Sequence, residues 1–176
     1  SYNHYARQNP QLDPRYIFIN SGFNLRPTDI QAAIAHNQFK RLDNLKKFRN
    51  MNRNLLIKKI TKSEKWNNQF EFIAVPKNID PSWMGLPILI SERFKEKKKR
   101  FINYLDKIGI ETRPIISGNF ANQPAAKLYE LCKKNEKFEN SQKVQELGFL
   151  IGLHTKKISK SNLKLIHDAF FMIDQI

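Results

Sequence analysis

Four short segments of strand character, separated by stretches of helical character, restrict what this chain can build. "FEFIAV" (70–75) alternates like a strand, "GLPILIS" (85–91) reads as a second, and "GFLIGL" (148–153) as another. The stretch "GIETRPIISGNF" (109–120) starts like a buried strand at Ile110 and Ile115–Ile116, yet carries Glu111 and Arg113 and stops at Ser117-Gly118-Asn119. Between these runs, Phe94, Phe101, Ile102, Leu105 and Ile108 recur at helical spacing, with Gly109 as the stop. Helices follow around 125–134 and 140–147, and Ser159 or Ser161 caps a terminal helix running to Ile173. No repeat is present. The pattern predicts an α+β layer, a small sheet with helices packed against it.

Residues 1–25 look irregular, with Pro10 and Pro14 and a short apolar run from Tyr16 to Ile19. A strong helix start follows in "RPTDIQAAIAHNQFKRLDNLKKF". Thr28 and Gln31 form a capping box, and Asp29 opposes the positive end of the helix dipole. Ile30, Ala33, Ile34, Leu42, Leu45 and Phe48 keep a helical stripe that continues to Ile60, as one long helix or as two with a bend near Asp43.

Composition removes several function classes. With 40% hydrophobic and 11% aromatic residues, the 176-residue chain can bury a core. A single cysteine, Cys132, excludes an internal disulfide framework, and the four histidines show no metal-ligand spacing, so no metal is expected. The apolar runs are too short to span a bilayer and the opening decapeptide is polar, which predicts a soluble, cytoplasmic protein with no membrane partner. The charge of +15 has two readings, a nucleic-acid-binding patch or lysines scattered over solvated helix faces. The lysines recur from Lys40 to Lys164 without any RNA-binding aromatic motif, which favours solvated faces. In particular Lys97, Lys98 and Lys99 are expected to lie beside or opposite the Phe94–Phe101–Leu105 stripe, indifferent to the fold.

Two stretches could carry chemistry. In "SGFNLRPTDIQ", Asn24 and Arg26 fall just before a capped helix N-terminus, where free amides and the dipole favour an anion such as phosphate. The alternative is that Asn24 makes a left-handed turn after Gly22 and Arg26 is solvated. In the second stretch, Arg113-Pro114 followed by Gly118-Asn119 suits a site at a sheet edge, or else a buried salt bridge for Arg113 and a turn at Asn119. Trp83 and His154 are weaker signals. No nucleophile–base pair, paired acids or glycine-rich phosphate loop stands out, so the residues give an anion site and no catalytic group.

Together these motifs are specific. "GFNLRPTDIQAAIAHNQFKRLD" resembles a segment of the DegT/DnrJ/StrS family of pyridoxal-phosphate (PLP) enzymes acting on nucleotide sugars, and "SWMGLPILI", "GIETRPIISGNFANQP" and "LGFLIGLH" follow in the family's order and spacing. The Arg-Pro and Gly-Asn-Phe resemble most the branch of nucleotide-4-keto-6-deoxysugar 3-dehydratases and their lipopolysaccharide-synthesis relatives. Two positions depart from the family pattern, Ala35 for a usual glycine and Phe39 for a frequent leucine.

The resemblance implies the C-terminal half of a fold-type I PLP-dependent transferase. Residues 1–60 would be the end of the large domain and the long linking helix, and 61–176 a small α+β domain with a mostly antiparallel sheet. It places the PLP lysine, or the histidine replacing it in the 3-dehydratases, upstream of Ser1, so this chain alone is expected to be inactive. In a homodimer, Asn24 would reach the partner's PLP phosphate, with Arg26 beside it. Arg113 and Asn119 would face the nucleotide sugar, and His154 would border the cleft. Aminotransferase and dehydratase stay open, as do a non-catalytic half-protein that binds nucleotide sugar or a partner subunit and, less favoured, a nucleic-acid-binding domain.

Overall fold

A computed structural model describes His4, Arg7, Gln8 and residues 25–116, 118–123, 126, 128–133 and 136–176. The apolar run 16–19 and Asn24 lie outside the described residues. The chain divides into two compact units, Ser1–Lys40 and Arg41–Ile176.

In the first unit, helix α1 spans Asp29–Phe39. Its capping box forms as expected: the Thr28 hydroxyl accepts from the Gln31 N–H at 3.3 Å, and the Gln31 side chain accepts from the Thr28 N–H at 2.9 Å. The helix stops at Phe39 and α2 (Leu42–Thr61) begins beyond Lys40–Arg41, so the predicted stripe is broken slightly ahead of Asp43. Ile30, Ile34 and Phe39 are correspondingly exposed.

In the second unit, α2 buries Asn52, Arg53, Leu56 and Ile60, with Asn52, Leu56 and Ile60 four residues apart along one face. Four strands, β1 (Phe70–Phe72), β2 (Gly85–Ile90), β3 (Thr112–Arg113) and β4 (Gly148–Gly152), form one antiparallel sheet in the order β1-β2-β4-β3. The register pairs Phe70 with Ile90, Ile88 with Phe149 and Leu86 with Ile151, which puts these apolar residues on a single face. Helix α3 (Lys98–Lys107) covers that face with Phe101 and Leu105, and α5 (Lys160–Phe170) with Ala169 and Phe170. The rings of Phe70, Phe101, Phe149 and Phe170 meet at centroid distances of 5.0 to 6.3 Å. Each is almost fully buried, a gain of about 2–3 kcal/mol per ring from apolar area alone.

Several boundaries differ from the sequence expectation for identifiable reasons. The third strand shrinks to Thr112–Arg113, because Pro114 offers no ladder N–H and the chain then turns through Ile116 (φ 48°) and Gly118 (φ 62°). Ile116 is exposed instead of buried. The helix expected over 93–108 opens with a 3-10 segment, Glu92–Lys97, before α3, and Gly109 ends it in the left-handed region at φ 84°. Lys97 and Lys98 are not merely solvated: the Lys97 ammonium lies 5.5 Å over the Phe94 ring, and Lys98 donates to the Gln145 carbonyl at 3.0 Å. The helix expected around 125–134 falls partly outside the described residues. Helix α4 spans Glu139–Leu147, and of the two serines it is Ser159 that caps α5, its hydroxyl accepting from the Asn162 N–H at 3.1 Å.

Candidate functional site

A groove of about 800 Å³ in the second unit gathers Arg113 and His154, with Leu56, Ile151 and Leu153 among its apolar lining and Lys156 and Lys157 at its basic end. Arg113 sits on the edge strand β3, paired across to Leu150. Its Nε and Nη2 donate to Glu111 Oε1 at 3.0 and 2.8 Å, with both side chains about three-quarters exposed. The salt bridge weighed from sequence exists, therefore, but at the surface. Such a pair is worth about 0–1 kcal/mol, so an anionic ligand can compete for the guanidinium at little cost.

His154 follows β4 and is exposed. The Lys156 N–H donates to its Nδ1 at 3.0 Å. A backbone amide can only donate, so in the neutral ring the proton sits on Nε2, and His154 presents a donor there. The segment carrying it is fastened by a residue the sequence reading missed. Asn52, 1% exposed on α2, donates to the carbonyls of His154 (2.9 Å) and Lys156 (2.7 Å) and accepts from the Ile158 N–H (2.9 Å). The available signal was an asparagine in phase with Leu56 and Ile60 on the buried stripe of α2.

Asn119 lies elsewhere. It lines a second, larger groove of about 1230 Å³ with Asn122, Gln142 and Glu146. Asn119 is 7% exposed; its Oδ1 accepts from the Ala121 N–H at 3.2 Å and its Nδ2 donates to Gln142 at 3.1 Å. Gln142 in turn donates to Glu146 at 2.9 Å, and Lys95 reaches the other Glu146 oxygen at 2.6 Å. The donated Gln142 hydrogen bond, and then Lys95, hold the Glu146 carboxyl below the usual carboxylate range, while Glu146 raises Lys95. Arg113 and His154 are thus brought together, and Asn119 is held apart from them in an amide network.

Arg26 is exposed two residues ahead of the α1 cap. The capping box occupies the amides of Thr28 and Gln31, and helix geometry leaves the early amides of Asp29 and Ile30 without intrahelical acceptors. The structure also forms a nucleophile–base contact that sequence spacing did not show. Ser63 Oγ lies 3.1 Å from His167 Nε2, and His167 Nδ1 lies 2.8 Å from Asp168 Oδ1. An ionised Asp168 carboxylate can only accept, so in the neutral ring Nδ1 carries the proton and Nε2 accepts from the serine hydroxyl. This chain ties the end of α2 to α5. Among the described residues no group of His, Cys, Asp and Glu could hold a metal ion, and no helix is long and apolar enough to cross a membrane.

The fold is that of a segment of known aminotransferase-type proteins. The Escherichia coli GDP-4-keto-6-deoxy-D-mannose-3-dehydratase solved with bound hydrated PLP superposes with a TM-score of 0.74 at 21% identity, covering 91% of this chain and 39% of that one. PseC of Helicobacter pylori, an aminotransferase involved in the biosynthesis of pseudoaminic acid, gives 0.71 at 18% identity, covering 89% and 40%. The chain belongs to the DegT/DnrJ/EryC1/StrS aminotransferase family, whose model matches residues 3–170.

Among sequence relatives, the lipopolysaccharide biosynthesis protein RfbH of Salmonella typhimurium is 28% identical over 145 residues, 81% of this chain and 32% of RfbH. The GDP-4-keto-6-deoxy-D-mannose 3-dehydratase of Escherichia coli O55:H7 is 26% identical over 151 residues, 85% of this chain and 37% of that protein. The matched span is about a third of the length of these relatives.

Proposed function

We propose that this chain is the C-terminal portion of a PLP-dependent enzyme acting on a nucleotide-linked 4-keto-6-deoxy sugar, as a 3-dehydratase or an aminotransferase, in lipopolysaccharide or polysaccharide synthesis. The observation that carries this reading is the family match over residues 3–170, with 3-dehydratases and a lipopolysaccharide biosynthesis protein among the relatives. Residues 1–60 then close a large domain and lead into the small one, and the working unit is a cytoplasmic homodimer.

The residues present fit one end of PLP. An exposed arginine ahead of a capped helix, with early amides directed out of the helix end, suits the phosphate. Asn24 and Arg26 would hold it there. When bound, PLP supplies the electron sink for chemistry next to the sugar's keto carbon. No catalytic residue is assigned to this chain.

The chain's own contribution is to bind and orient. Arg113 exchanges Glu111 for an anionic group of the nucleotide sugar, and His154 offers its Nε2 proton to a sugar or phosphate oxygen. Asn52 keeps that imidazole in place. Asn119 acts from its own groove by fixing the turn after β3, so that it frames the cleft.

The test is titration of the intact protein with a nucleotide-linked 4-keto-6-deoxy sugar, followed by ligand-observed NMR. Saturable binding is expected, and Arg113→Ala should weaken it about tenfold or more, the loss of one hydrogen-bonded charge contact. Equal affinity in the wild type and Arg113→Ala would refute the assignment of the groove.

A further inference from the structure

Among the described residues, the buried side-chain nitrogen and oxygen atoms left without a hydrogen-bond partner are Arg49 Nε, Asn50 Oδ1 and Arg53 Nε. All three fall on one stretch of α2. Buried polar groups are ordinarily satisfied, and orphans gathered in one place call for an explanation. Arg53 is the pronounced case, because it is only 8% exposed. Its Nη2 donates to the Ile73 carbonyl, its Nη1 has a long 3.4 Å contact to Asn54, and its guanidinium carbon sits 4.6 Å from the centre of the Trp83 ring. None of these partners is an anion. Desolvation lowers its pKa, and no carboxylate offsets the effect. A guanidinium taken out of water without a counter-charge is costly wherever it is found.

Arg53 lines a groove of about 470 Å³ together with Asn50, Asn54, Trp83, Ile79 and Asp80. Asp80, the carboxylate in that lining, already forms an ion pair with Lys46. The wall is otherwise largely apolar and aromatic, formed by Ile57, Phe72, Ile73 and Val75. One uncompensated cation, two carboxamides and an apolar wall match a monoanion with a hydrocarbon tail better than a phosphate, whose further charge and oxygens would be left unpaired here.

We propose that this groove between α2 and the Trp83 loop is a binding site for the carboxylate of a small organic acid, with Arg53 as its cation and Asn50 and Asn54 as its flanking donors. Asn50 lines the same groove as Arg53, and rotating its amide turns the orphaned acceptor into a donor for such a carboxylate. The site is separate from the Arg113–His154 groove and does not depend on the sugar-nucleotide reading.

The probe is hexanoate, titrated into the intact chain at constant ionic strength. Trp83 emission is followed in a Trp66→Phe background, where the ring stacked on Phe72 is kept as a phenyl group. Saturable change with hexanoate is expected, with hexan-1-ol and inorganic phosphate each at least tenfold weaker. Arg53→Lys keeps the charge but loses the planar fork, and should weaken hexanoate at least tenfold. Asp80→Asn removes the acid that lines the groove among the described residues and should bind at least as tightly as the parent. No saturable response in the parent protein overturns the proposal. So does equal binding of the alcohol or of phosphate, an unchanged response in folded Arg53→Lys, or weaker binding in Asp80→Asn.

Discussion

Replacing Asn52 by alanine removes three hydrogen bonds at once, two donated to the carbonyls of His154 and Lys156 and one accepted from the Ile158 amide. At about 1 kcal/mol per bond the direct loss is about 3 kcal/mol. The backbone groups left behind are part-buried, so water repairs some of them, and about 2–4 kcal/mol is the working range. Urea unfolding followed by circular dichroism measures it: with a slope of about 2 kcal/mol per molar, the midpoint should fall by roughly 1–2 M. Asn54→Ala, on the exposed side of the same turn, is the control and should stay within about 0.5 kcal/mol. Asn52→Asp keeps the acceptor for Ile158 but turns a carboxylate toward two carbonyls, so it should be at least as damaging as alanine. If Asn52→Ala costs less than about 0.5 kcal/mol, Asn52 does not fasten the His154 segment and the reasoning fails.

Gly118→Ala should destabilise by more than about 1 kcal/mol, because the residue sits at φ 62° and a Cβ would meet Gln145 Cβ at 2.7 Å; a thermal midpoint equal to the parent's would contradict this. Glu146 has its folded pKa depressed, so its contribution is present above the unfolded value near 4.3 and lost as pH falls through the folded value. Urea midpoints across that acid range should therefore fall more steeply in the parent than in Glu146→Gln, and parallel profiles would count against the network. Lys98→Gln should cost more than Lys99→Gln, since Lys98 bonds the Gln145 carbonyl and Lys99 is exposed; equal midpoints for the two would restore the solvated-face reading.

The parts legible in the sequence were those encoded over a few consecutive residues. The Thr28–Gln31 capping box, the Gly109 stop, the Ser159 cap and the strands at 85–90 and 148–152 all carry local signals that the fold leaves intact. What escaped depends on residues distant in sequence. The Asn52 clasp joins positions more than a hundred residues apart, and the Ser63–His167 contact is similar. The two lysines on the 3-10 and α3 segments found partners on α4 and at the C-terminal turn, which no spacing rule foretells. Local pattern did suggest the alternative readings for Asn119 and Arg113. Only the assembled sheet shows that one is a buried cap and the other a surface ion pair on a different groove.

The order β1-β2-β4-β3 also governs when the chain can fold as it is made. The central pairing joins Gly85 to Gly152, so β2 has its main partner only after nearly all of the intervening chain exists. Until then β1 is the sheet neighbour that β2 has, and α3, made earlier than β4, is the cover available to Leu86, Ile88 and Ile90. Long-range antiparallel pairing of this kind slows folding, because loop closure precedes the contacts that reward it. On the ribosome, therefore, β2 remains an unfinished sheet edge while the chain that follows it is made, and the sheet of the second unit closes only once β4 emerges.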